Sequence, residues 1–283
     1  MNKQKRILSI HDISGVGKCS LTVALPIISL FGHEASAMPT AILSTHTGGF
    51  TDFTYRDLTD DLLGMTNHWK NIDLAIDGVY TGYLGSIKQV DIIIETIDTL
   101  KKEHTTIIVD PVMADNGKLY PSFPENFPQE MTRLCKKADF IIPNITEATL
   151  MLGEEYKDGP YTKEYIENIL RKFDSFGAKF VILTGVHFDN DQLGVACYNV
   201  EENKIDYVFD KKLDGYFHGT GDVFGSYLTG ALIDGKNPVE ACGVAVKYTV
   251  EAIKNTIEAD TIPKYGVNFE KSTPKFVKDY YSL

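Results

Sequence analysis

A chain of 283 residues has room for one large domain or two ordinary ones. Its 43% hydrophobic and 24% charged residues exclude a disordered, collagen-like or disulfide-scaffold protein. Lys and Arg number 28 against 39 Asp and Glu, a formal charge of −11, which excludes a broad basic face for nucleic acid or an anionic membrane.

Short apolar β-type runs alternate with longer stretches of helical period, the pattern of a mostly parallel sheet with helices on both faces. Strands are predicted at residues 6–10, 35–43, 74–80, 106–109, 140–142 and 179–183. Helical spacing is clearest over 87–102, 162–176 and 239–256, the last opening after Pro238, a favourable first-turn residue. Residues 193–200 and 204–209, joined by Glu201-Glu202-Asn203, read as an antiparallel hairpin extending one sheet edge. There is no internal repeat or low-complexity linker, and the Pro-rich stretch 120–128 is too short to separate two units. A single domain over 1–283 is expected.

Cys19, Cys135, Cys197 and Cys242 form no C-x-x-C pair, so buried free thiols are expected rather than a zinc site or a redox dithiol. The first apolar run ends at His11 and Asp12, too early for an export signal, and no stretch approaches the ~18 apolar residues of a membrane span. A cytoplasmic protein without a membrane or nucleic-acid partner is expected.

Two glycine-containing turns could carry chemistry. Gly15-Val16-Gly17-Lys18-Cys19-Ser20 follows the first strand but fails as a phosphate loop, because Asp12 stands where the leading Gly is needed and Cys19 where Ser or Thr is needed. It also fails as a dinucleotide fingerprint, with Ser20 in place of the third Gly. It remains a strand-to-helix turn at the edge where α/β sheets place ligands, with Asp12 facing the crevice or, with Ser14, capping the next helix. His218-Gly219-Thr220-Gly221-Asp222 precedes an apolar helical run over 223–233. Its glycines and the first free N–H groups of that helix converge where the helix dipole favours negative charge, a nest suited to a phosphoryl group. Asp222 then stands beside the nest, either as the base for an attacking hydroxyl or as an ordinary first-turn acid.

Gly219-Thr220-Gly221-Asp222 resembles the G-T-G-D signature of the ribokinase-like superfamily, whose Asp activates a hydroxyl for phosphorylation by ATP. Four more blocks, in the same order, are similar to those of the vitamin B6 kinases, the pyridoxal kinase family. They are Ser44-Thr45-His46-Thr47-Gly48, Thr81-Gly82-Tyr83-Leu84-Gly85-Ser86, Asp110-Pro111-Val112-Met113 and Pro143-Asn144-Ile145-Thr146-Glu147. The similarity spans about residues 7–232.

The resemblance implies a ribokinase-like α/β fold and ATP-dependent phosphorylation of the hydroxymethyl group of pyridoxal, pyridoxine or pyridoxamine, in a homodimer. By it, Asp222 is the base, with Gly219, Thr220 and Gly221 around the transferred phosphoryl. His46, Thr47 and Tyr83 flank the vitamin ring, and Asp12 faces the same substrate. Asn144 and Glu147 match the family's N-x-x-E motif, which orients Mg²⁺ around the triphosphate. Asp110 and Thr184 lie near the phosphates, with Asp110 and Glu147 the metal-side acids and a monovalent cation such as K⁺ nearby. Asp115 matches a nucleotide-side acid, though an Asp before Asn116-Gly117 also suits a turn. On physical grounds alone, Asp110 at the end of a buried strand calls for a cation or a hydrogen-bond cluster.

Asp12 to Gly17 departs from the Ser-His pair of the familiar B6 kinases and looks more like the D-P-S-G-G-A-G start of hydroxymethylpyrimidine kinases. Those enzymes usually have Cys where Asp222 stands and Met where Tyr83 stands. Hydroxymethylpyrimidine is therefore the alternative substrate, and a non-catalytic vitamer or nucleotide sensor is the alternative of another class. The segment 211–217 is either a mobile cover or a solvated loop.

Overall fold

The computed structural model describes residues 4–283. The chain runs β1 (Arg6–Val16), α1 (Leu21–Leu30), β2 (Glu34–Thr45), β3 (Tyr55–Asp57), α2 (Thr59–Asn71), β4 (Gly78–Thr81), α3 (Ile87–Leu100) and β5 (Thr106–Val109). A small hairpin of β6 (Ala114–Asp115) and β7 (Lys118–Leu119) precedes α4 (Phe127–Cys135), β8 (Phe140–Ile141), α5 (Ile145–Leu152) and α6 (Lys163–Lys172). Then come β9 (Phe180–Val186), β10 (Gln192–Asn199), β11 (Lys204–Lys211), α7 (Thr220–Asp234), α8 (Pro238–Glu258) and α9 (Thr273–Tyr281).

Side chains alternate across the strands with period two, and each face of the sheet has its own core. Leu8, Ile10, Val79, Ile107 and Val109 pack with α2 to α6, whereas Ile7, Tyr80, Ile108 and Ile182 pack with α1, α7, α8 and α9. The strand order is β11-β10-β9-β8-β5-β4-β1-β2-β3. The strands from β9 through β2 are parallel, and the β10–β11 hairpin is antiparallel at one edge, as the sequence predicts. The other edge carries an antiparallel strand, β3, that the pattern did not reveal; with three exposed residues it offers no apolar period to read.

β1 lies between β2 and β4, so successive crossovers leave it in opposite directions. That is the switch point of a doubly wound sheet, where a crevice opens at the carboxyl ends of the strands. Asp12 in β1, Tyr83 after β4, Asp110 after β5 and Asn144 after β8 all lie at those ends.

Three boundaries differ most from the prediction. The strand predicted from 74 begins only at Gly78, because Asp73 turns left-handed and the Asp77 carboxylate accepts the Arg6 N–H at 2.8 Å before pairing starts. β1 runs past its predicted end through a bulge between His11 and Ile13 to Val16. The helix predicted to 176 is α-helical only to Lys172 and closes in a 3₁₀ turn before Gly177.

Candidate active site

A cleft of about 460 Å³ opens at the carboxyl edge of the sheet. Asp110, Asp115, Asn144, Glu147, Thr184 and the whole turn 219–222 line it. Lys211 is the one lysine or arginine of this lining, so a polyanion here depends on backbone amides and bound cations, as the overall charge requires.

The α7 N-terminus forms the cleft's anion nest. Gly219 is left-handed at φ 77°, and a β-carbon on it would stand 2.1 Å from the Lys18 carbonyl oxygen, so both conformation and space require glycine. The first helical amides, those of Thr220, Gly221 and Asp222, have no carbonyl one turn back to bond, and the helix dipole adds positive potential there. Asp222 stands in this first turn. Burial pushes its carboxyl up to about 7, against the Ser20 backbone N–H, which favours the charged form, and with a smaller upward push from Asp12.

Two further carboxylates meet across the cleft floor. Glu147 and Asn144 close a capping box on α5: Glu147 Oε2 accepts the Asn144 N–H at 2.8 Å, and Asn144 Oδ1 accepts the Glu147 N–H at 2.9 Å. The other Glu147 oxygen accepts the Met113 N–H at 3.2 Å. Asn144 Nδ2 donates to the Ala114 carbonyl at 2.9 Å, and Asn144 forms an isolated parallel bridge with Thr184. Burial, then Glu147, then Asp222 raise the Asp110 carboxyl far above its ordinary range. Burial also raises Glu147, but its backbone N–H partners oppose that. The hydrogen-bond cluster expected around Asp110 thus belongs mainly to Glu147. Asp115 accepts the Tyr216 hydroxyl at 3.0 Å while also holding the Asn116 N–H at 2.9 Å, the turn role anticipated for it. Through Tyr216, the segment 211–217 lies over the cleft.

The ring-side residues are not in that cleft. His46 and Tyr83 gather around Asp12. Asp12 is 5% exposed, accepts the Ser20 and Ser14 hydroxyls at 2.5 and 3.3 Å, and lies within electrostatic reach of Asp222, His46 and Tyr83. The expectation that Asp12 or Ser14 caps α1 fails: no side chain caps that helix. Tyr83 is partly buried, its ring 5.7 Å from that of Phe123. Thr47 is exposed on the loop after β2. His46 Nε2 lies 2.7 Å from the Lys264 carbonyl, and its Nδ1 accepts the Gly48 N–H at 3.1 Å. A carbonyl can only accept, so the hydrogen bonds assign the proton to Nε2 and leave Nδ1 bare. Burial lowers the His46 pKa, which agrees with this neutral form. Both nitrogens are therefore engaged within the protein, and the buried ring packs beside Phe50 at 5.1 Å and His218 at 5.2 Å between centroids.

Sequence reasoning missed two groups. Val246, Val250 and Ile253 of α8 form an apolar wall of the cleft, yet their spacing is that of any core-facing helix stripe. The turn 263–266 reaches both ring-side loops: Tyr265 C=O accepts the Lys18 N–H at 2.9 Å, and the Lys264 ammonium sits 4.8 Å from the Phe50 ring centre. No local motif marks it.

The family model described as phosphomethylpyrimidine kinase matches residues 26–265. The chain belongs to that family. A protein of Bacteroides thetaiotaomicron described as a phosphomethylpyrimidine kinase is 36% identical, with a TM-score of 0.92 over 97% of this chain and 94% of that one. An orthorhombic crystal form of it contains pyridoxal. Pyridoxal kinase from Lactobacillus plantarum is 29% identical and superimposes with a TM-score of 0.90 over 99% of both chains. Pyridoxal kinase of Dictyostelium discoideum is 28% identical over 99% of this chain and 93% of its own. The ribokinase-like architecture and the kinship with pyridoxal kinases expected from the motifs are borne out.

Proposed function

We propose that this family member is an ATP-dependent kinase of the 5′-hydroxymethyl group of pyridoxal, pyridoxine or pyridoxamine, working as a single domain within a cytoplasmic homodimer. One observation carries the reading: Asp222 stands at the junction of a phosphate nest and a separate ring-side cluster, with a proton affinity near neutrality. A base so poised takes the hydroxyl proton as the oxygen attacks phosphorus. The amides of Thr220 and Gly221 stabilise charge on the phosphoryl in transit, so catalysis is positioning plus electrostatics. Asp12 and Tyr83 orient the ring, with Thr47 at its rim and His46 beside it. Asp115 and Thr184 hold the nucleotide side.

The donor set suits Mg²⁺. Asp110 and Glu147 are buried oxygen donors whose proton affinities burial raises, that of Asp110 further through Glu147, a build-up that a hard cation would relieve. Among the described residues, no three His, Cys, Asp or Glu side chains group to hold a metal ion alone, so Mg²⁺ would take Asp110, with Glu147 and Asn144 behind it, and otherwise phosphate and water. Bound there, Mg²⁺ neutralises triphosphate charge. A monovalent cation such as K⁺ would draw on the same oxygens.

Hydroxymethylpyrimidine is the second reading, favoured by the family description and by a hydroxymethylpyrimidine/phosphomethylpyrimidine kinase of Aquifex aeolicus, 29% identical over 65% of this chain. Kinship to named pyridoxal kinases over nearly the full length supports the vitamer more strongly. ADP release from Mg-ATP with each vitamer and with hydroxymethylpyrimidine tests both. Fastest turnover on a B6 vitamer is expected; faster turnover on the pyrimidine would reverse the choice. Tight vitamer binding with no ADP would leave only a sensor.

A further inference from the structure

Ser20 precedes α1 at φ 51° and ψ −133°, a conformation that residues other than glycine almost never adopt. A serine at a helix start ordinarily turns its hydroxyl back onto the first-turn amides, and this one makes no such bond. Its hydroxyl reaches away from the helix to Asp12 Oδ1 at 2.5 Å. Its backbone N–H is directed to the Asp222 carboxylate. Ser20 is 6% exposed, and the segment before it is held on two sides. The Lys18 carbonyl lies against Gly219 so closely that no β-carbon fits, and the Lys18 N–H is tied to the Tyr265 carbonyl.

One residue therefore donates its hydroxyl to Asp12 in β1 and turns its main-chain N–H toward Asp222 in α7, two acids from different elements. Asp12 is buried and Asp222 partly so; two such carboxylates repel each other, and each moves or takes up a proton unless donors hold it in place. Relaxing the backbone of Ser20 would re-aim the very N–H and hydroxyl that hold this pair. We propose that Ser20 is a positioning residue that fixes the spacing between the ring-side acid Asp12 and the base Asp222 during phosphoryl transfer. The inference rests on the kinase reading above and adds to it a residue outside the five blocks that carry the family resemblance.

Ser20→Gly keeps the main-chain donor, removes the hydroxyl and accepts the backbone angle without strain. It is expected to unfold at the wild-type temperature or higher, while kcat with pyridoxal falls about 10- to 100-fold and the KM for ATP stays the same, since the nest is untouched. Ser20→Ala, which retains the β-carbon, should show the same loss in kcat at lower thermal stability. In the double variant Ser20→Gly/Asp12→Asn the loss should equal that of Asp12→Asn alone, because the link is already cut. Wild-type kcat in Ser20→Gly, or losses that multiply in the double variant, would overturn the role. A wild-type enzyme that releases no ADP with any vitamer or with hydroxymethylpyrimidine would instead remove the kinase reading, and the positioning role with it.

Discussion

His46 and Lys264 lie 218 residues apart in sequence and meet through one 2.7 Å hydrogen bond from the imidazole to a backbone carbonyl. With Gly48 bonded to the other ring nitrogen, the imidazole is a fastener between the loop after β2 and the turn at 263–266. His46→Ala should therefore act on binding more than on chemistry. The KM for the vitamer is expected to rise about tenfold, with kcat within about threefold. Thermal stability should fall by about 1–2 kcal/mol for the two lost bonds. Steady-state kinetics and thermal unfolding check this; a kcat loss as large as that of a base variant would mean that the imidazole handles protons.

Asp222→Asn should lower kcat by about two to four powers of ten while leaving nucleotide binding in place, measured by turnover and by calorimetric titration with ADP. The same change reads out on stability. The folded-state pKa of about 7 lies above the unfolded value of 3.8, so the folded state binds this proton more tightly. Its stabilising effect is complete below pH 4 and is lost as pH rises through 7. The asparagine variant should match the wild type near pH 4 and melt roughly 2–4 °C higher at pH 8.

The activity of the wild type should show the same group. A base with a pKa near 7 is active only when deprotonated, so kcat is expected to climb with pH through about 7 and then level off. A flat profile from pH 5.5 to 8.5 would exclude Asp222 as the base.

Gly219→Ala tests the nest. A β-carbon would stand 2.1 Å from the Lys18 carbonyl oxygen, and both partners are backbone, so neither can swing aside. The cost is about 1–3 kcal/mol from the left-handed conformation alone, together with displacement of the α7 amides. Turnover should drop at least about 100-fold with a higher KM for ATP. Near-normal kinetics would show that the amides do not hold phosphate.

Much of this was legible before any coordinates. The alternation of Leu8, Ile10, Val79 and Val109 against Ile7, Tyr80 and Ile108 is a period-two signal strong enough to place the parallel strands, and a Gly-x-Gly turn before a helix is visible wherever it occurs. What escaped has physical causes. Ser20 reads only as the residue that breaks a glycine fingerprint, because the contacts that hold its segment, Lys18 with Gly219 and Tyr265, come from far away in sequence. Val246, Val250 and Ile253 satisfy the core pattern whether they face protein or ligand. Glu147 is expected as a metal-side acid, and its capping box with Asn144 shows this carboxylate building the start of α5. The left-handed turn at Asp73 delays β4 at a place where composition alone suggests continuous strand.

The clasp made by residues 263–266 has a consequence for biosynthesis. The phosphate nest and the strands bearing Asp12, Asp110 and Asn144 are all translated earlier, but the loop carrying His46 gains its anchor only when Lys264 and Tyr265 have left the ribosome. On the proposed assignment of the two sides, a nascent polypeptide can thus acquire its nucleotide pocket before it can grip the vitamin, and maturation ends on the side that selects the substrate.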